Sequence, residues 1–239
     1  MGPLREPRSD QGKRLVGGSE GRRIPLWVKV AYTAYVCVLV PAYWGEYGPT
    51  NFVWICDAAL LMAVPAVWLE SPLLASMPAV GIVLPQVVWQ VSFLAACAGY
   101  PLTDMTDYMF DPGIPLFTRV LSFFHFWLPF FLLWLVWRLG YDRRAFWAQT
   151  LVGWALVLAA WLWLPAPPAP PDAPTLPVNV NFVYGLSNQA PQEWAPPAVY
   201  VALLLLVLPV GLYLPTHWLL RRLFSRPADG GKVDRAGRG

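Results

Sequence analysis

The sequence predicts an all-α protein, a polytopic membrane helix bundle of six transmembrane helices with both termini cytoplasmic. Three observations carry this. The 239 residues are 57% hydrophobic and 13% charged, whereas about a quarter of a soluble globular chain is charged. Six apolar segments come close to the roughly 20 residues that cross a bilayer as a helix. The basic residues fall almost entirely on one side of those segments, which orients the bundle by the positive-inside rule.

Residues 1–23 are rich in Gly, Arg, Lys and Ser, have no apolar run, and read as a disordered basic cytoplasmic arm. The spans follow at about 25–44, 51–69, 73–98, 114–137, 147–165 and 196–219, and 221–239 reads as a disordered basic tail. The first apolar run ends in VPAYWGEYG without a small-residue cleavage site, so it is expected to be a retained span and not a signal peptide. Seven basic residues lie in the arm with Lys29, three in the turn after span four (Arg138, Arg143, Arg144), and six from Arg221 onward. The loops at 45–50, 99–113 and 166–195 contain none. Arg119, near the outer end of span four, is the exception.

Fourteen tryptophans and ten tyrosines suit a protein with several lipid–water interfaces. Pro65, Pro85, Pro129 and Pro209 fall inside apolar runs, so kinks are expected where neighbouring groups re-satisfy freed carbonyls. Cys37, Cys56 and Cys97 are odd in number and lie in apolar segments, which does not read as a disulfide framework. No CxxC, HExxH or GxxxxGK[ST] pattern occurs, so no metal and no cofactor are expected. The formal charge of +3 follows topology and implies no nucleic-acid partner. The expected partners are membrane lipids and other membrane proteins.

Function has to be sought where polar residues enter apolar spans. His125 sits mid-span, roughly 16 Å below the outer face at about 1.5 Å per residue, and an ionisable group at that depth is a functional-site hypothesis by default. Asp57 is expected about 9 Å below the same face, Gln86 level with His125, Gln90 one turn above it, and Arg119 higher. Thr118, Ser122 and His125 are spaced to share one face of span four. Arg119 points elsewhere and is placed to pair with Asp57 or with Asp104, Asp107 and Asp111 of the third loop. These residues outline a polar pocket open outward, ringed by spans two, three and four. Cys56 and Asp57 project about 100° apart and are not expected to face each other. His217, near the inner end of span six, reads as interfacial.

The last outer loop, 166–195, begins with a proline-rich stretch of polyproline character. It then becomes too apolar for a free linker, through Phe182, Val183, Tyr184 and Trp194, and is expected to fold back onto the bundle.

Three stretches resemble a known group: NFVWICDAALL at 51–61, FFHFWLPFFLLWLV at 123–136, and VNFVYGLSNQAPQEWAPPAVYVALLLLVLPVGLYLP at 180–215. They are similar to the second span, fourth span and last loop and span of the YwaF-like bacterial integral-membrane proteins, a family distantly related to the androgen-induced membrane hydrolases and a lipid acyltransferase branch. The resemblance implies a bacterial inner-membrane location and a lipid-ester chemistry. His125 would match the histidine that serves as general base, and Asn181 would belong to the binding residues of the last loop. The threonine or cysteine nucleophile of those enzymes has no clear counterpart, since Val53, Trp54 and Ile55 cannot attack an ester. Cys56 and Ser122 are the nearest candidates.

Two readings stand side by side. One is a lipid acyl hydrolase or acyltransferase with His125 as base, Cys56 or Ser122 as nucleophile, Asp57 as orienter, and Arg119 or Gln90 donating to an oxyanion or headgroup. The other is a non-enzymatic lipid-binding, transporter-like or assembly protein.

Overall fold

Helix α1 (Leu26–Tyr47) buries Val28, Tyr32, Val36, Leu39 and Tyr43, a spacing of three and four residues that keeps them on one stripe of the helix. The computed structural model describes residues 24–224. The arm expected over 1–23 and the tail beyond 224 lie outside the described residues. Gly48 ends α1 with φ 76°, a left-handed backbone open to glycine without steric cost.

A short 3-10 turn, Pro49–Val53, leads into α2 (Ile55–Leu69), which has 15 residues. At about 1.5 Å per residue α2 is roughly 22 Å long, less than the hydrocarbon core of about 30 Å. The apolar run at 51–69 therefore divides between a turn and a short helix, because Pro49 starts the turn and the backbone extends again at Trp54. Among the described residues five helices are long and apolar enough to cross a membrane: Leu26–Tyr47, Pro72–Cys97, Leu116–Leu139, Ala145–Trp163 and Pro197–Phe224. The expected second span is the shorter apolar helix.

Helix α3 (Pro72–Cys97) starts at Ser71, whose hydroxyl accepts from the amide of Leu74, with Pro72 in the first turn, a favoured helix start. Nine consecutive residues, Ala75–Val83, are buried; a helix enclosed on all sides is a core helix. It packs on α2, on the second half of the fourth span, on α6 and on the last helix.

The fourth span is broken. Helix α4 (Leu116–Leu121) and helix α5 (Phe124–Leu139) are joined through Ser122 and Phe123, where Phe123, His125 and Phe126 donate to carbonyls three residues back. Such a tightened turn inside a helix marks strain or a hinge.

Helix α6 (Ala145–Trp163) and helix α7 (Pro197–Val207) pack together; a π-helical turn, Leu208–Tyr213, then joins α7 to α8 (Leu214–Phe224). Pro209, which lacks an N–H, lies in that turn, and π-turns of this kind interrupt the ordinary ladder. Two glycines let the core close. A Cβ at Gly81 would stand 2.4 Å from Gln149 Nε2, and one at Gly153 would stand 2.5 Å from the Tyr213 hydroxyl.

The segment between α6 and α7 folds onto the bundle as its composition predicts. The Tyr184 hydroxyl donates to the carbonyls of Trp161 and Leu164, and that of Tyr200 to Phe182. Asn179, in left-handed backbone, donates through its amide to Gly185 and Ser187 and accepts from the amide of Tyr184. The loop also rests on the third loop, because Asp104 Oδ2 accepts from the Ser187 hydroxyl at 2.7 Å and the Asn188 amide at 2.6 Å.

Candidate functional site

The polar residues of the spans divide into two groups. The first gathers where α1, the start of α2, the third loop and the α4–α5 break meet. Asp57 lies in the first turn of α2, 3% exposed, where the amide ends of a helix favour negative charge. Its Oδ2 accepts long hydrogen bonds from Asn51 Nδ2 at 3.4 Å and from Cys56 Sγ at 3.7 Å. The contact with Cys56 departs from the expectation that the two side chains do not face. The 100° separation fixes only the Cβ atoms, and the outer atoms reach across it. Oδ1 has no hydrogen-bond partner among the described residues.

Tyrosines line this group. Tyr35, Tyr43, Tyr47 and Tyr108 all lie within electrostatic range of Asp57. Tyr35 donates to the carbonyl of Leu121. The Tyr43 hydroxyl and Ser122 Oγ are 2.6 Å apart, and Ser122 also reaches the carbonyl of Thr118 on its own helix. Tyr35 and Tyr43 are eight residues apart on α1, about two turns, and together they hold the broken span at Leu121 and Ser122. Tyr108, in the 3-10 turn Asp104–Met109, is pushed well above the ordinary phenol range, first by burial and then by the neighbouring Cys56, with Ser122 opposing. The Tyr47 hydroxyl, stacked edge-on against Tyr43 at 5.3 Å, is buried without a hydrogen-bond partner among the described residues. A donor and an acceptor are thus both left unsatisfied in one cluster, and buried polar groups are ordinarily paired.

The second group surrounds His125. Its Nδ1 is 3.0 Å from Gln86 Oε1, and its ring stacks on Trp89 at 4.6 Å and lies against Phe124 at 4.1 Å. Gln86 and His125 are therefore level, as their depths predict. Gln90 has a different task. Its amide donates to the carbonyls of His125 at 2.9 Å and Phe126 at 3.3 Å. Proline at 129 has no N–H for the carbonyl four residues back, which is that of His125, and Gln90 supplies the missing donor.

Ser122 turns its hydroxyl to α1 while the His125 ring turns to α3; among the described residues no hydrogen bond joins the His125 side chain to the side chains of Ser122, Cys56 or Asp57. Thr118 is buried beside Ser122. Arg119 is bound through Nε to the carbonyl of Ile114 at 3.0 Å and through Nη1 to that of Met109 at 3.2 Å. It has no carboxylate partner among the described residues, so it closes the third loop onto the fourth span. Asn181, with φ 58°, clamps the last loop to the second segment: its Oδ1 accepts from the amide of Ile55 at 2.9 Å and its Nδ2 donates to the carbonyl of Val53 at 3.0 Å. It thereby satisfies one of the free amides at the start of α2.

Sequence reasoning missed Tyr35, Tyr43, Tyr47, Tyr108 and Asn51. The spacing of Tyr32, Tyr35, Tyr43 and Tyr47 along α1 was the signal available, though tyrosines in spans also read as interface anchors. Among the described residues no group of three His, Cys, Asp or Glu side chains is placed to hold a metal ion. No family model matches the chain, and neither a curated protein nor a solved structure aligns with it.

Proposed function

We propose that this is a non-enzymatic integral membrane protein of lipid-binding or transporter-like kind, whose site is the tyrosine-lined cluster around Asp57. The observation that carries the reading is the pair of unsatisfied buried atoms, Asp57 Oδ1 and the Tyr47 hydroxyl. A headgroup that donates to a carboxylate and accepts from a phenol, such as a hydroxyl, would satisfy both; an ammonium group would satisfy the carboxylate. A lone carboxyl in an apolar span is costly unless it serves a ligand or an ion. The last loop, tied to Val53 and Ile55 by Asn181, sits over the start of α2 and would govern access.

The YwaF-like resemblance supports a second reading, a lipid acyl hydrolase or acyltransferase with His125 as base. The arrangement favours it less, because a base must lie within hydrogen-bond reach of what it deprotonates. The His125 Nδ1 is engaged by Gln86, and Ser122 by Tyr43.

The test is to purify the full chain from membranes and identify bound lipid by mass spectrometry. The expected result is a lipid with a hydroxyl- or amine-bearing headgroup, unchanged on incubation and lost in Asp57→Asn and in Tyr47→Phe. Hydrolysis of the lipid, or labelling by an acylating probe that disappears in His125→Ala and in Cys56→Ala or Ser122→Ala, would replace this reading with the enzymatic one.

A further inference from the structure

A separate group of residues lies at the other end of the bundle, where the turn between α5 and α6 meets α8. The Tyr141 hydroxyl and His217 Nδ1 are 2.6 Å apart, and Phe146 packs on the same imidazole at 5.3 Å. This contact ties the turn to α8. His217 and Arg221 are four residues apart and so share a helix face, while Arg143 follows Tyr141 by two residues. The Tyr141–His217 contact thus brings Arg143 of the turn and Arg221 of α8 to the same end of the bundle, both within electrostatic range of the His217 ring.

Neither is compensated among the described residues. Arg143 and Arg221 are exposed and have no carboxylate partner among the described residues. The neighbouring acid, Asp142, is bound by Arg144 at 2.7 Å, and its backbone amide donates to Ser76 Oγ at 3.1 Å. The turn is thereby fixed, and its own carboxylate is withdrawn from Arg143. Trp147 and Trp218 are 68% and 52% exposed on the same two helix ends, and Arg222 lies over the Trp218 ring at 3.6 Å. Exposed tryptophans mark the headgroup level of a bilayer. Two exposed cations without a carboxylate partner among the described residues, on elements joined by the Tyr141–His217 contact, have the charge and position to receive an anionic lipid headgroup.

We infer that the surface where the α5–α6 turn meets α8 binds the phosphate headgroup of an anionic phospholipid, with Arg143 and Arg221 as its cationic contacts. The phosphate oxygens accept from the two guanidinium groups, and the acyl chains lie along the exposed apolar side of α8. This site is independent of the Asp57 cluster and stands whether or not that reading holds.

The experiment measures binding of phosphatidylglycerol and phosphatidylcholine to the full chain in neutral detergent by native mass spectrometry. The parent is expected to retain phosphatidylglycerol preferentially, and the preference is expected to fall with added salt. The double variant Arg143→Gln/Arg221→Gln is expected to bind it about thirtyfold more weakly, the combined effect of two cations at an anionic surface. Lys29→Gln, whose ammonium is already paired with Glu70 at 2.7 Å, is expected to leave binding within about twofold. Equal retention of the two lipids, a preference indifferent to salt, or a double variant that binds like the parent would overturn the inference. So would displacement of phosphatidylglycerol by equimolar inorganic phosphate, which would make the site one for the bare anion. The parent's lipid preference and its salt dependence decide the matter even if the double variant does not fold.

Discussion

The side-chain amide of Gln90 donates to the backbone carbonyl of His125 at 2.9 Å, in the place where the proline at 129 cannot. A polar residue that sequence depth assigns to a binding pocket therefore repairs a helix. Gln90→Leu should strand that carbonyl inside the bundle at a cost of about 1–3 kcal/mol. Restoring the donor with Pro129→Ala should recover part of the loss, and a double-mutant cycle of unfolding free energies would read the coupling. Additive effects of the two changes would show that the hydrogen bond contributes nothing.

Gly153→Ala should destabilise the protein by about 1–3 kcal/mol, the usual effect of overpacking a core. The added Cβ would stand 2.5 Å from the hydroxyl of Tyr213, which is fully buried. Tyr213→Phe removes the colliding atom, so the thermal midpoint of the Gly153→Ala/Tyr213→Phe pair should lie above that of Gly153→Ala alone.

Asn181→Ala removes both hydrogen bonds that join the last loop to Val53 and Ile55 and places alanine in left-handed backbone. A loss of about 1–3 kcal/mol is expected from the unsatisfied groups, together with faster protease cleavage within 183–195. Asn181→Gly relieves the backbone and not the bonds, so it should be cleaved nearly as fast. Protection equal to that of the parent would show that the clamp does not hold the loop.

The Asp142 carboxyl is held below the usual carboxylate range, first by hydrogen bonds from the Arg144 side chain, with desolvation opposing. A depressed folded-state pKa gives stability that is present above the unfolded value and is lost as pH falls through the folded one. The stability gap between the parent and Asp142→Asn should therefore be present near about pH 7 and close below about pH 4. Because the Arg144 side chain is 78% exposed, the gap should be small and shrink with salt. A gap that widens on acidification would refute the assignment.

Neutralising Asp57 tests the cluster in the opposite sense. Asp57→Asn keeps the shape and removes a buried acid whose hydrogen bonds are all long. The thermal midpoint should hold or rise while ligand retention falls, since a buried carboxyl with incomplete hydrogen bonding is costly. A large fall in midpoint with ligand retained would make Asp57 a structural residue.

The all-helical architecture, the spanning character of five helices and the return of the last loop onto the bundle were legible in the sequence, because each follows from local composition. An apolar run long enough to cross hydrocarbon must pair its backbone within itself, and Phe182, Val183 and Tyr184 carry too much apolar surface to stay in water. The shortening of the second segment was not legible in its hydropathy. Asn51, Phe52 and Val53 are apolar on average, and only their 3-10 geometry after Pro49 takes them out of the helix.

The grouping of the site was decided by tertiary structure alone. Depth counting placed Gln86 level with His125 correctly, because rise along a helix is a property of the chain. Rotation about each helix axis is set by packing, and no count of residues supplies it. It turned Ser122 toward Tyr43, His125 toward Gln86 and Arg119 toward the carbonyls of Ile114 and Met109. It also left Asp57 among tyrosines that read, in sequence, as interface anchors.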